Sequence, residues 1–397
     1  KESLSKHESE SKKMISNIFI IIGIVLFISK LVLTPFNKNK PTKINVDNPN
    51  YCILVPARNE SHVIEDLLQS IKVQTKKVPF ENVYIIIENK SDPTIEIAKK
   101  YNANIFIRQK LELKRKGYAL MEAIEFITKT KSYDAYFIFD ADNILDKDYI
   151  KEMNKSFMNG YDIGIGYRQI KNKTNSIALS SHLIFTLVNE LSNKNRSKHN
   201  INCNCSGTGF YITGKLINKL KTYPFHSLTE DYEISLYACI NNLTTTYNRN
   251  ALFYDEQPTN YKTYLKQRTR WVSGYFEARK KYITSLLKNI NIKNKNFASN
   301  YNSFIGIYDL IFLLIGLILK MLNHPLLIPL IVYLVLMLLT IYLIHVEKNF
   351  KLNTSLYIKT ILVHPLLLLS YILCLIKVLT SKEITWDVIE HKETLNK

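Results

Sequence analysis

The sequence predicts an α/β fold, with a mostly parallel central sheet flanked by helices, joined to transmembrane helices. Three observations predict it. Between residues 50 and 160, short apolar runs rich in Ile, Val, Phe and Tyr alternate with amphipathic stretches, and continuous runs of that length suit strands buried on both faces. Polar residues gather just after these runs, where ligands bind in open parallel sheets. Apolar segments long enough to cross a bilayer lie on both sides of this block.

Taken in chain order, residues 1–13 are polar and charged and read as a disordered N-terminal tail. Residues 14–35 (MISNIFIIIGIVLFISKLVLTP) reach the length a span needs, with only Lys30 interrupting near one end. No small-residue cleavage site follows, whereas Pro35, Asn37 and Lys38 do, so the segment is read as an uncleaved anchor rather than a signal peptide. A domain is expected over 50–260. Its strands fall at YCILVP, VYIIIE, ANIFIR and AYFIFD, with helices near 60–73, 92–101, 117–130 and 146–158. Amphipathic interface helices are expected over 261–300, and C-terminal membrane helices over 304–379, followed by a tail over 380–397.

The C-terminal apolar stretches run at roughly 304–322, 325–346 and 355–379. The third contains Lys359, His364-Pro365 and Lys377. It crosses with a kink, re-enters, or lies in the interface, which gives two or three spans. The positive-inside rule then places the Lys-rich central block in the cytoplasm of an integral membrane protein.

Composition narrows the function classes. With 397 residues, 46% of them hydrophobic, the chain is neither disordered nor collagen-like. The net charge of +19 comes from Lys dispersed along the whole chain, unaccompanied by a nucleic-acid-binding motif, so no nucleic-acid partner is expected. The surplus reads as a solvated, lipid-facing surface. Five cysteines (Cys52, Cys203, Cys205, Cys239, Cys374) are scattered and odd in number, and are read as reduced and buried. Neither GxGxxG nor GxxxxGK[ST] occurs, which argues against a dinucleotide enzyme or a P-loop ATPase.

Three constellations carry chemistry. Asp140 and Asp142 follow a strand-like run, and alternation along an extended chain directs both carboxylates to one side. Two hard oxygen ligands at that spacing suit Mg2+ or Mn2+ shared with a diphosphate; a polar turn after a strand is the alternative. Thr229-Glu230-Asp231 falls at the first turn of a helix running to Cys239. Acids there complement the helix dipole, or one of them serves as a general base. The dipole lowers such a pKa and burial raises it. Third, Gln267, Arg270 and Trp271 share one helix face at i, i+3 and i+4. A guanidinium grips diphosphate oxygens and an indole stacks on a sugar, whereas an interfacial basic and aromatic face is the alternative.

In this order, PARNE (56–60), an acid after the second strand, DAD (140–142), TED (229–231) and QxxRW (267–271), followed by membrane spans, resemble family 2 glycosyltransferases. The branch most similar is the membrane-embedded one that includes cellulose, chitin, hyaluronan and poly-N-acetylglucosamine synthases. The resemblance implies a GT-A domain that binds a UDP-sugar with Mg2+ or Mn2+ and inverts the anomeric centre. It implies that Pro56, Ala57, Glu60 and Glu88 line the uridine pocket with Lys116 nearby. Asp140 would contact nucleotide and Asp142 the metal, with Asp231 the catalytic base and Glu230 its neighbour. Gln267, Arg270 and Trp271 would serve the diphosphate and the acceptor sugar, and Ser206-Gly207-Thr208 the acceptor site, where a simple turn is the alternative.

The sequence departs from the family at Glu88, where Asp is usual. Trp386-Asp387-Val388-Ile389-Glu390-His391 loosely resembles a tail element that gates some relatives from the cytoplasmic side. The function implied is transfer of a hexose or N-acetylhexosamine to a growing polysaccharide, with accessory membrane subunits as candidate partners. The alternative is a non-processive enzyme acting on a membrane-lipid acceptor to give a glycolipid.

Overall fold

The structure, a computed structural model, describes residues 2–348 and 350–381. The expected tail element at 386–391 lies outside the described residues. One eight-stranded sheet organises the central domain, from strands β1 (Tyr51–Pro56), β2 (Val83–Ile87), β3 (Asn104–Ile107), β4 (Ala135–Ile138), β5 (Ile144–Leu145), β6 (Ile163–Ile170), β7 (Phe210–Thr213) and β8 (Thr245–Asp255). Their order is β3-β2-β1-β4-β7-β6-β8-β5. The β3-β2-β1-β4 half is parallel, as its unbroken apolar runs require. β7 is antiparallel to both β4 and β6, while β8 returns parallel to β6. Helices Ile64–Lys72, Thr94–Lys100, Lys116–Ile127 and Tyr149–Met158 connect the strands near the predicted positions.

Two apolar layers sandwich this sheet. One gathers Ile53, Val55, Ile85, Phe137 and Phe253, the other Cys52, Leu54, Ile86, Ile138 and Phe210. Alternate residues of β1 thus feed opposite layers, as period-two geometry demands. A register shift between Gly166 and Tyr167 bends β6 against β8, so that Gly166 pairs with Asn248 but Tyr167 with Leu252. Beyond the shift Ile170 pairs with Asp255, which carries that acid to the ligand-binding end of the sheet.

The N-terminal helix runs Glu2–Val32, so residues 2–13 are helical where a disordered tail is expected. Once the apolar stretch nucleates a helix, each added residue gains a hydrogen bond at little further cost. Among the described residues four helical segments are long and apolar enough to cross a membrane: Glu10–Val32, Phe297–Asn323, Leu327–Val346 and Thr354–Thr380. The second is broken at Gly306, whose φ of +55° ends the helix Phe297–Ile305 before Tyr308–Asn323 begins. The last is divided at Ser370 and carries Pro365.

Helices Glu2–Val32 and Tyr308–Asn323 pack closely through glycines. A Cβ on Gly23 would lie 2.8 Å from the Asp309 carbonyl, and one on Gly316 2.8 Å from that of Ser16. Lys30 and Asp309 form an ion pair at 2.5 Å beside this contact. The five cysteines are free and buried.

Candidate active site

A cavity of about 530 Å3 opens at the carboxyl ends of the parallel strands. Pro56, Ala57, Glu60, Glu88, Lys116, Asp140, Asp142, Ser206, Gly207, Glu230, Asp231, Gln267, Arg270 and Trp271 all line it. Of the residues named from the sequence only Thr208 sits behind the wall. It is fully buried, its hydroxyl accepting from the Asp140 amide at 2.8 Å and donating to Asn143 Oδ1 at 2.5 Å. Thr208 therefore fixes the turn carrying the two aspartates.

Asp140 and Asp142 follow β4, and Asp255 closes β8. One carboxylate oxygen from each lies within 4.8 Å of the others. Three hard anionic oxygens so close suit a small divalent cation such as Mg2+ or Mn2+, which Asp140, Asp142 and Asp255 would hold. The turn is braced by Asn143, which donates to Asp142 at 3.2 Å and to Asp255 at 3.0 Å. Arg168 donates to Asp255 at 3.0 Å and to the Ser206 carbonyl. The sequence reading missed Asp255 and Arg168, although both leave a signal. Asp255 ends an apolar run just as Asp140 does, and Arg168 is a lone cation inside IGIGYRQI.

Lys116, the first residue of helix Lys116–Ile127, reaches between the acidic groups. Its Nζ is 2.5 Å from Asp140 and donates to the Gly207 carbonyl at 2.7 Å, with Glu230 at 4.0 Å. Burial works against its charge, yet Asp140 and Glu230 outweigh burial and hold the ammonium pKa above the usual lysine range.

Glu230 and Asp231 begin the helix Glu230–Ile240. Backbone amides at the helix start bond both carboxylates, as the dipole alternative expects, while Thr229 adds no side-chain cap. Burial pushes Glu230 up to about 7; Lys116 opposes this and Asp231 adds to it. Burial also raises Asp231, against the helix amides and Lys116. Desolvation therefore wins over the helix terminus, which the sequence leaves open. Glu233 one turn on has a structural task, accepting from the His226 and Ser227 amides at 2.9 and 2.8 Å and from Lys281 at 2.5 Å.

The helix Tyr261–Lys288 places Gln267, Arg270 and Trp271 on the cavity side. Arg268 turns away, fully buried against Ser181 and stacked 3.8 Å from the Trp271 ring centre, so that it fixes the indole. Among the described residues Arg270 Nε is buried without a hydrogen-bond partner, a donor available to an anionic ligand. Gly274 gives this helix its close approach to Thr229, which a Cβ would meet at 2.7 Å. At the far end of the cavity Glu88 pairs with Arg108 at 2.9 Å and Arg58 at 3.3 Å. Phe185 and Tyr371 supply apolar wall.

Comparisons with known proteins bear on the family and the fold of the domain that carries this cavity. The family model described as glycosyltransferase like family 2 matches residues 49–274. The probable glycosyltransferase YdaM of Bacillus subtilis (strain 168) is 23% identical over 270 residues. That match covers 66% of this chain and 63% of YdaM, so the chain spans less than two thirds of that relative's length. Among solved structures, the mannosyltransferase PcManGT from Pyrobaculum calidifontis, in complex with GDP-Man and Mn2+, is similar in fold. Its TM-score is 0.55 at 12% identity, covering 94% of this chain and 100% of that one. S. aureus TarS 1-349 in complex with UDP-GlcNAc gives a TM-score of 0.43 at 15% identity, over 82% of this chain and 92% of that one.

Proposed function

We propose, since the chain belongs to the family of glycosyltransferases like family 2, that it moves a hexose or N-acetylhexosamine from UDP to the end of a growing polysaccharide at the membrane. The single observation that carries this reading is the convergence of Asp140, Asp142, Lys116, Asp231, Arg270 and Trp271 on one cavity. Asp140, Asp142 and Asp255 would hold Mg2+ or Mn2+, as the close approach of their oxygens allows. When bound, such an ion supplies positive charge where the leaving diphosphate gains negative charge.

Arg270 aims its guanidinium at the same leaving group, and a donor fixed before reaction is worth more in a dry pocket than in water. Asp231 takes the proton of the acceptor hydroxyl as that oxygen attacks C1 from the face opposite the diphosphate. One displacement inverts the centre, and no covalent nucleophile is required. Glu230, raised to about 7 beside it, shares the proton balance of the pair. Trp271, steadied by Arg268, offers an aromatic surface to the acceptor ring.

Uridine is the base that the resemblance implies for the part of the cavity lined by Glu88, whose carboxylate oxygens accept from Arg58 and Arg108. The Lys-rich domain is assigned to the cytoplasmic side.

A second reading, transfer of one sugar to a membrane lipid, is favoured by the apolar wall of Ile184, Phe185, Val188 and Tyr371. Incubating the full chain in lipid vesicles with UDP-sugars and GDP-mannose, with Mg2+ or Mn2+, and sizing the products separates the readings. Long saccharides support the polymerase and a single sugar on lipid supports the alternative. Turnover of GDP-mannose alone overturns the uridine assignment. Asp231→Asn should abolish transfer while UDP still binds; full activity in that variant refutes the base assignment.

A further inference from the structure

The break at Gly306 leaves backbone groups that a continuous helix would pair. Unbroken, the helix would bond the Ser303 and Phe304 carbonyls to the amides of Ile307 and Tyr308. Here both carbonyls accept instead from the guanidinium of Arg279, the second at 2.5 Å. The Ile307 amide in turn donates to the Tyr275 hydroxyl at 3.0 Å. Arg279, only 2% exposed, also lies over the Tyr308 ring, 4.9 Å from its centre. Glycine is needed at the break, because a Cβ on Gly306 would strike the Tyr275 hydroxyl and lie 2.5 Å from Arg279 Nη1. From the other side Lys30 of the anchor helix donates to the Gly306 carbonyl at 3.2 Å.

Tyr275 and Arg279 continue a row at i, i+4 spacing along the helix Tyr261–Lys288 that also holds Gln267 and Trp271. The row therefore runs from the cavity to the break. Tyr275 lines the cavity, as does Tyr232. Their rings stack with centres 4.9 Å apart and 25° between the planes. The Tyr232 hydroxyl interacts with Arg279 as well as with Tyr275. Tyr232 follows Asp231, and its amide bonds the Asp231 carboxylate. A chain of contacts thus leads from the membrane span to that carboxylate.

We propose that Tyr275 and Arg279 are positioning residues for sugar transfer, gripping the break in the membrane span and thereby holding Tyr232 and the Asp231 carboxylate in the reacting geometry. The inference rests on the reading of Asp231 as the base. Each of the two acts through Tyr232 rather than on the sugar. A helix cap alone has no need of an aromatic stack that forms part of the cavity wall, whereas a support for the base does. Moving the break moves Tyr275, and a shift of about 1 Å in a reacting group costs roughly two orders of magnitude in rate.

Kinetics and labelling of the full chain in lipid vesicles test this. Arg279→Met should lower kcat with a UDP-sugar roughly a hundredfold, and Arg279→Lys, which keeps a donor, should lose less. Gly306→Ala, outside the cavity lining, should reproduce the loss from the membrane side. The KM for donor and the affinity for UDP should stay as in the native chain; a parallel loss of UDP affinity would reveal general damage and overturn the positioning role. Tyr275→Phe keeps the ring and its stack and strips only the hydroxyl, so the test stands without Arg279→Met should that variant not fold. Labelling of Asp231 by a water-soluble carbodiimide, read by mass spectrometry against Asp140 of the same chain, needs no turnover. The ratio should rise several-fold in Arg279→Met and in Tyr275→Phe as the base is freed. Native kcat and a native labelling ratio in Tyr275→Phe overturn the proposal. A native chain that turns over no UDP-sugar refutes the donor reading instead, and the labelling ratio then decides alone, an unchanged ratio overturning the grip on Asp231.

Discussion

Lys116 Nζ lies 2.5 Å from Asp140 Oδ1, which makes the ammonium a competitor for an oxygen that a divalent cation would use. The lysine neutralises the acidic cluster and is well placed to shift toward the diphosphate once a cation arrives. Lys116→Met should therefore raise the affinity for Mn2+ alone roughly tenfold, the effect of removing about 1.4 kcal/mol of like-charge repulsion. Transfer should fall by roughly two orders of magnitude, as when one preorganised electrostatic donor is removed. Titration of Mn2+ by electron paramagnetic resonance, beside turnover, checks both. Unchanged Mn2+ affinity would sink the competition argument.

Glu230 and Asp231 set the pH response. Burial raises Glu230 from 4.5 to about 7, and Asp231 moves the same way. A carboxyl whose folded pKa exceeds its unfolded value holds its proton longer in the native state. It therefore stabilises the fold at low pH, and that contribution is lost as pH rises toward and through about 7. Transfer needs the base deprotonated, so kcat/KM should rise through the same region while stability declines. Thermal melts and rate profiles between pH 5 and 8 on native chain and Glu230→Gln provide the check. A variant that keeps the native stability slope would show that Glu230 is not its source.

Asp255 should matter as much as the two aspartates of the sequence motif. Asp255→Asn keeps the shape and an acceptor for Gln257, whose amide donates at 2.8 Å, but removes one anionic ligand and the charge opposite Arg168. We expect Mn2+ affinity to fall roughly tenfold or more. The melting temperature should also drop, because a buried guanidinium loses its counter-charge. Isothermal titration of Mn2+ in the presence of UDP measures the first effect. Binding equal to that of the native chain would remove Asp255 from the ligand set.

Local chemistry made most of this site legible. β1 to β4 announce themselves as apolar runs, and Asp140, Glu230 and Arg270 stand at fixed offsets from recognisable strand or helix patterns. Asp255 and Arg168 escaped because their meaning depends on pairing between β6 and β8, and on the shift at Gly166 that brings β8 into register beside β4's turn. No local spacing encodes that. The surroundings of Glu88 were hidden for the same reason, since Arg58 and Arg108 reach it from the ends of different strands. Residues 2–13 look unstructured by composition, yet a helix already nucleated downstream extends through them.

Glu347 couples the membrane helices to the catalytic domain. Its carboxylate accepts from the Tyr167 hydroxyl and the Gln169 amide, each at 2.7 Å, and from the Thr186 hydroxyl, with His182 Nε2 at 3.4 Å. Thr186 adjoins Phe185 in the cavity wall, so this bond ties the end of helix Leu327–Val346 to the active site. Burial disfavours the carboxylate, but His182 and the hydroxyl donors outweigh burial and hold its pKa below the usual range. A lowered carboxyl pKa gives stability that is present above the unfolded value and lost as pH falls through the folded one. Glu347→Gln keeps the acceptor facing Tyr167 but turns the other oxygen into a donor, at a cost of about 1–3 kcal/mol. Glu347→Leu, which strands three donors, should cost more. Melts at neutral pH should therefore rank native above Gln above Leu, and only the native chain should lose this increment on acidification below about pH 4. A glutamine variant as stable as the native chain at neutral pH would show that the carboxylate does not hold the two parts together.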